Sequence, residues 1–129
     1  GFNYKRLGML IAVLEKRMGL AMGTKDIFVN LVGGLRIDDP AADLSIISAI
    51  ASSTMDKFIE KDIILCGEVG LTGEVRSISR LNQRITEALS LGFKKAIVPS
   101  YSMKEKLKNV DMDLYPVKNV KETFKILFR

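Results

Sequence analysis

The sequence is most informative at residues 39–57, which read DPAADLSIISAIASSTMDK. Proline suits the first position of a helix, and an aspartate before it can accept hydrogen bonds from the free backbone N–H groups. We therefore predict a helix from residue 40 to about residue 57. Apolar residues cover most of its circumference, so we expect it to lie at the centre of the domain. One narrow stripe is polar: Ser45, Ser48, Ser52 and Asp56. This stripe either allows close approach of another element or faces water.

Helices and strands alternate on both sides of this segment. Before it, periodicity predicts a helix over residues 3–18 and a strand over 26–32, which ends at Gly33-Gly34 and could continue at 35–37. After it, the patterns predict a buried strand (62–69), a turn (70–73), a return strand (74–76), a helix (80–91), a strand (95–99), a short helix (102–108), an edge strand (114–117) and a last helix (119–128). Such alternation is typical of an α/β domain.

The composition excludes several kinds of chemistry. The chain has no histidine and one cysteine, Cys66, so Ser-His-Asp catalysis, Cys-His catalysis and histidine or thiolate zinc sites are excluded. Cys66 lies in an apolar run and is expected to be an inert buried thiol, which suits a reducing cytoplasm. No apolar run reaches the roughly 18 to 20 residues of a membrane helix, and we find no signal peptide or nucleotide-binding Gly-x-x-x-x-Gly-Lys-Ser/Thr loop.

The net charge of +5 is unevenly distributed. From Lys94 onward the chain has nine basic and four acidic residues, whereas basic and acidic residues before Lys94 balance. A basic lobe of this kind can attract phosphate groups. It is equally typical of a lysine-rich surface that only keeps the protein soluble.

Five short motifs occur in order along the chain: MLIAVLEKR at 9–17, VGGLR at 32–36, DPAADL at 39–44, GEVGLTGEVR at 67–76 and LGF at 91–93. The ordered set resembles the C-terminal Lon-protease-like domain of the RadA (Sms) family of bacterial DNA repair proteins, and the resemblance extends across essentially the whole chain. The resemblance implies a Lon-protease-domain-like α/β fold, a two-layer mixed sheet with packed helices. It also implies that the first strand or so of the Lon domain is missing.

The same resemblance implies a place within a larger machine. Residues 1–129 would be one Lon-protease-like domain of a longer protein, and the absence of an initiator methionine at Gly1 agrees with this. The parent would bind zinc and ATP in upstream domains, with no cofactor in this chain. It would form a hexameric ring in the cytoplasm and act on branched or single-stranded DNA during recombination and repair, with this domain as a scaffold.

The resemblance also implies where a Lon-type catalytic dyad would lie. Lon proteases use a serine that follows a proline at the start of a helix, and a lysine that follows a leucine at the start of a later helix. Here those positions hold Ala41 and Asn82. Alanine has no nucleophilic atom, and asparagine cannot act as a base near neutral pH. Ser45 and Ser79 lie near these positions but have no obvious partner lysine, so we expect no peptidase activity.

Two groups of basic residues are candidates for contact with DNA phosphates. Arg76, Arg80 and Arg84 surround a predicted strand-to-helix connection, with salt bridges to Glu87 or to a neighbouring subunit as the alternative role. The second group lies along the last helix: Lys118, Lys121 and Lys125. These lysines fall in one sector, opposite an apolar face, so they are either a phosphate-binding strip or a solvated surface.

Three functions therefore compete. The favoured one is a non-proteolytic scaffold that contacts DNA. The second is a pure oligomerisation domain without nucleic-acid contact, and the third is an active Ser-Lys peptidase of the Lon type.

Overall fold

The computed structural model describes residues 4–20, 39–104 and 111–128. The strands predicted at residues 26–32 and 35–37 lie outside this part of the chain. In the residues that are described, no helix combines the length and apolar character needed to cross a bilayer.

The first helix, α1, spans Tyr4–Lys16 and was predicted over residues 3–18. Its buried residues, Leu7, Leu10, Val13 and Leu14, recur at helical spacing and form the core-facing side. Gly19 ends the segment in the left-handed region, with φ of 68°. The N–H of Leu20 donates to the carbonyl of Leu14 at 3.0 Å, as in a glycine-terminated helix end.

The predicted central helix is confirmed. It begins as a 3-10 turn at Pro40–Ala42 and continues as helix α2 over Asp43–Met55. The Asp39 carboxylate accepts from the Ala41 N–H at 3.0 Å, which is the predicted cap. The side chains of Leu44, Ile47 and Ile50 are fully buried.

The polar stripe of α2 does not have a single environment. Ser45 and Asp56 are exposed, Ser52 is half-buried, and Ser48 is fully buried with no hydrogen-bond partner for its hydroxyl within the described residues. Both predicted roles therefore occur along the stripe: Ser48 is packed inside the protein, whereas Ser45 and Asp56 face water.

Three parallel strands form the main sheet in the order β1-β4-β5, from β1 (Ile63–Leu65), β4 (Lys95–Pro99) and β5 (Asp113–Val117). Ile64 aligns with Ala96, and Ala96 with Leu114. Strand β5 pairs only with β4 in the described part, which confirms the predicted edge strand and explains how it tolerates Pro116.

A separate antiparallel pair joins β2 (Glu68–Val69) to β3 (Val75–Arg76). The prediction of one continuous strand over 62–69 is therefore wrong, because the chain leaves the main sheet at Cys66 and Gly67. The Gly67 N–H donates to the Ala41 carbonyl at 2.9 Å, and the Gly67 carbonyl accepts from Leu44 N–H at 3.0 Å. A Cβ atom on Gly67 would lie 2.7 Å from Val75 Cγ1, so only glycine fits there.

Helices cover both faces of the main sheet. Ile97 of β4 packs into the larger cluster with α1, α2 and the last helix, α4 (Val120–Leu127). Its neighbours Ala96 and Val98 face a second cluster with helix α3 (Leu81–Ser90). Successive side chains of β4 thus point to opposite faces of the sheet, and all three are apolar because the strand is buried on both sides. The α/β prediction is confirmed, with the parallel and antiparallel pairings in separate sheets among the described residues.

Of the two remaining predicted helices, the first differs from its prediction and the second agrees with it. A 3-10 helix spans Ser100–Lys104, whereas a helix was predicted over 102–108, of which residues 105–108 lie outside the described part. Helix α4 begins as predicted, since the Asn119 side chain accepts from the Glu122 N–H at 2.8 Å. The predicted apolar face of α4 is confirmed, because Val120 and Phe124 are buried in the larger cluster.

Candidate functional site

Ala41 lies in the first turn before α2 and is 4% exposed. It lines two cavities, of about 340 Å³ and 170 Å³. The larger is mainly apolar and reaches Cys66, Leu91 and Phe93. The smaller is bordered by residues 77–79. A side chain at position 41 would thus face open clefts beside the start of a helix, but the methyl group present offers no reactive atom.

An ion pair stands beside Ala41. Arg84 Nη2 lies 2.9 Å from Asp39 Oδ2, and both side chains line both cavities. Arg84 Nε also donates to the Ser79 carbonyl at 3.1 Å. The hydrogen bond from the Ala41 N–H, with help from Arg84, lowers the pKa of Asp39 below its ordinary value. Arg84 thus pairs with Asp39, and not with Glu87, which was the partner named in the alternative prediction.

Asn82 lies on a neighbouring cavity of about 320 Å³ with Arg80, Tyr101 and Ser102. Residues 77–79 line both this cavity and the smaller cavity at Ala41, so the two cavities adjoin each other. Among the described residues, no lysine side chain lines any of these three cavities. The cationic group that lines both cavities at Ala41 is the guanidinium of Arg84, and a guanidinium does not serve as a base in proteins.

Other nucleophiles near Ala41 lack activation. Ser45, Ser77 and Ser79 line the cavities, but a serine needs an adjacent base to attack a carbonyl. Burial raises the pKa of the Cys66 thiol to about 11, and the charge of Arg84 opposes this only in part. The thiol is therefore protonated at neutral pH and unreactive, in agreement with the inert role predicted from the sequence.

A buried carboxylate holds the start of α2 in place, and the sequence analysis did not find it. Asp43 is fully buried and accepts from Arg6 at 2.6 and 2.5 Å and from the Val69 N–H at 3.0 Å. The hydrogen bond to Asp43 raises the pKa of Arg6. Arg6 also lies 3.4 Å from Glu68. These contacts join α1, α2 and β2, so the turn that carries Ala41 is rigidly placed.

The arginine group predicted to bind DNA does not have one common environment. Arg76 is paired with Glu74 at 3.0 Å and Glu68 at 3.7 Å, and Arg84 with Asp39. Arg80 is exposed in the left-handed region at φ of 60°, and no carboxylate in the described part pairs with it. Such a backbone conformation is uncommon outside glycine and costs about 1 kcal/mol or more.

The three lysines of the second group share one environment. Lys118, Lys121 and Lys125 are exposed, and within the described ranges none forms an ion pair. Lys118 precedes α4, and its backbone N–H donates to Glu122 Oε1 at 2.7 Å. The three lysines therefore lie just before α4 and along its exposed side, while Val120 and Phe124 are buried. We call Lys118, Lys121 and Lys125 the lysine strip.

Comparison with known proteins identifies relatives over almost the whole chain. Residues 16–129 match the family model described as Lon protease (S16) C-terminal proteolytic domain. The chain is 40% identical to the DNA repair protein RadA of Aquifex aeolicus over 99% of its length, and 42% identical to that of Bacillus subtilis over 97%. It is 37% identical to RadA of Escherichia coli over 98%. The aligned part amounts to 28%, 27% and 27% of these relatives, so the chain spans about a quarter of their length.

Proposed function

Since this chain belongs to the Lon protease (S16) C-terminal proteolytic domain family and is similar throughout to DNA repair proteins, we propose that it is a non-proteolytic domain that contacts DNA during repair. The lysine strip is the observation that carries the DNA contact. The cavities at Ala41 support the loss of proteolysis.

The case against proteolysis rests on the chemistry around Ala41. A Ser-Lys enzyme needs a hydroxyl, a neutral lysine and donors for the oxyanion, all placed together. Here position 41 is a methyl group, and the group that reaches the cavities is an Arg84–Asp39 pair. An arginine paired with a carboxylate strengthens the turn but neither accepts nor delivers a proton.

The lysine strip supports contact with the DNA backbone. Ammonium groups without carboxylate partners remain available for phosphate, whereas Arg76 and Arg84 would first have to leave their own partners. Contacts of this kind position a protein on DNA without reading its sequence. Arg80, which has no ion-pair partner in the described part, is the arginine of the first group that is best suited to a further phosphate contact.

For the whole protein we propose the wider role that the resemblance implies: an ATP-driven motor that binds zinc and ATP in other domains, forms a hexameric ring in the cytoplasm and acts on branched or single-stranded DNA. This domain would contribute scaffold contacts to the ring as well as the lysine strip. Its support is the similarity to RadA proteins, which are named as DNA repair proteins.

The test reverses Lys118, Lys121 and Lys125 to Glu and measures affinity for duplex and single-stranded DNA across a salt series. The matched control replaces Lys5, Lys16 and Lys61 by Glu. These lysines are also exposed, so both variants change the net charge equally. The strip variant is expected to lose affinity and to lower the salt slope by roughly one unit per lost contact. Equal losses in both variants, or no loss in the strip variant, would refute the proposed contact.

A further inference from the structure

A concave apolar pocket of about 240 Å³ lies between the ends of α1 and α2 and one face of α4. Two methionines, a leucine and two phenylalanines form its lining, among them Met55, Phe124 and Phe128. The rest of the lining is cationic, since Lys57, Lys121 and Lys125 complete it. An apolar lining edged by three lysines is distinct from the cavities at Ala41, which contain carboxylates.

The walls of this pocket are fixed by the backbone. Gly19 and Asp56, both in the left-handed region, end the two helical segments. The Lys57 N–H donates to the Ser52 carbonyl at 2.9 Å, and Lys57 is thereby held beside the end of α2. The rings of Phe124 and Phe128 pack edge to face at 5.3 Å. A partner would therefore meet a preformed pocket, which reduces the ordering cost of binding.

The surface around the pocket carries exposed cations and an exposed aromatic ring. Lys57, Lys121 and Lys125 are exposed and form no ion pair within the described residues. Phe58, which follows Lys57, is 96% exposed. Exposed aromatic residues are enriched where proteins bind one another, and the charge of the lysines specifies an acidic partner.

We propose that this pocket docks an acidic peptide segment of another protein, with one large apolar side chain in the pocket and flanking carboxylates on Lys57, Lys121 and Lys125. The volume suits a single phenylalanine or leucine side chain, and methionines adapt well to such an insert. A nucleobase fits less well, because the apolar lining would leave the polar edge of the base without hydrogen-bond partners. Phe58 would pack against the peptide outside the pocket.

This docking site overlaps the lysine strip in part. Lys121 and Lys125 belong to both, whereas Lys57 belongs only to the pocket and Lys118 only to the strip. Peptide and DNA would consequently compete for the domain, a consequence that rests on the proposed function. The two residues that are not shared allow the two activities to be tested separately.

The test uses the full 129-residue chain and a fluorescein-labelled peptide of Asp, Glu, Gly and Ser with one central Phe. Fluorescence anisotropy gives its affinity at low salt. Replacing the Phe of the peptide by Ser should weaken binding about 10- to 100-fold. In the protein, Lys57→Glu and Phe58→Ser should each weaken binding several-fold, whereas Lys118→Glu should not. Both exposed positions can be changed without disturbing the core.

The outcomes separate this inference from the proposed function. If the Ser peptide binds as well as the Phe peptide, or Lys118→Glu weakens binding as much as Lys57→Glu, the pocket does not recognise the peptide. If the peptide fails to bind while the strip variant still loses DNA affinity, the docking site is refuted and the proposed function stands. If Lys57→Glu and Phe58→Ser reduce DNA affinity and leave peptide binding unchanged, the pocket serves nucleic acid instead.

Discussion

Removing the Arg6 guanidinium should destabilise this domain more than removing the negative charge of its buried partner, Asp43. Arg6→Met keeps much of the side-chain volume but leaves the Asp43 carboxylate fully buried without its cation. Breaking a buried pair in this way costs about 3 to 5 kcal/mol. Asp43→Asn keeps an oxygen for the Val69 N–H, and Arg6, 21% exposed, can turn towards Glu68. Its cost should therefore be about 1.5 to 3 kcal/mol, the loss of charge-assisted hydrogen bonds.

Urea denaturation measures both effects. With a slope of about 1 to 3 kcal/mol per M, a loss of about 3 to 5 kcal/mol in Arg6→Met should lower the midpoint by roughly 1 to 5 M. The double variant Arg6→Met with Asp43→Asn should lose clearly less free energy of unfolding than the two single variants lose together. Once one member of the ion pair is absent, changing the other no longer breaks the pair. Lys5→Met, an exposed change on the same helix, is the control and should stay within about 0.5 kcal/mol. A loss below about 1 kcal/mol for Arg6→Met, or additive costs, would refute the reasoning.

Three further predictions follow from the site and the core. Ala41→Ser with Asn82→Lys should not create casein-cleaving activity, because a dyad needs accurate placement by surrounding groups; turnover sensitive to a serine reagent would contradict this. Ile47→Ala should cost about 2 to 5 kcal/mol in urea denaturation, since Ile47 is fully buried; a loss under 1 kcal/mol would mean that the core lies elsewhere. The hydrogen bond from the Thr72 hydroxyl, with help from backbone N–H groups and Arg76, lowers the pKa of Glu74 to about 2, so the stabilisation is complete above the ordinary pKa of 4.5 and is lost as pH falls towards 2. Thr72→Val should raise the pKa of Glu74 in an NMR titration, and an unchanged pKa would contradict the assignment.

The sequence predicted those elements whose signals are local. Helix α2 follows from its aspartate cap, its proline and its apolar circumference, all of which act within a few residues. The two faces of α4 follow from helical periodicity in the same way. The exposure of Lys121 and Lys125 was therefore predictable from helical spacing, whereas Lys118 lies before the extended cap residue Asn119, where helical spacing does not apply.

The features that were missed depend on contacts between distant segments. The strand predicted over residues 62–69 breaks because Gly67 bonds to Ala41 and packs against Val75, neither of which is near it in sequence. Asp43 was not recognised as a buried ionic centre, because its partners lie on α1 and β2. The one available signal was an aspartate just before a strongly apolar helix, and this signal is also typical of an ordinary cap.

The larger apolar cluster joins the two ends of the described chain, since Leu10 of α1 and Phe124 of α4 both belong to it. During synthesis on the ribosome, α1 emerges first, yet its apolar side cannot be fully covered until residues 120–128 have left the exit tunnel. Until α4 can pack against it, the apolar side of α1 is exposed to chaperones and to other nascent chains. A chain that ends before Phe124 should therefore give much less soluble protein. Its loss should exceed that expected for removing a short helix that only lies on the surface, because α4 covers part of the core.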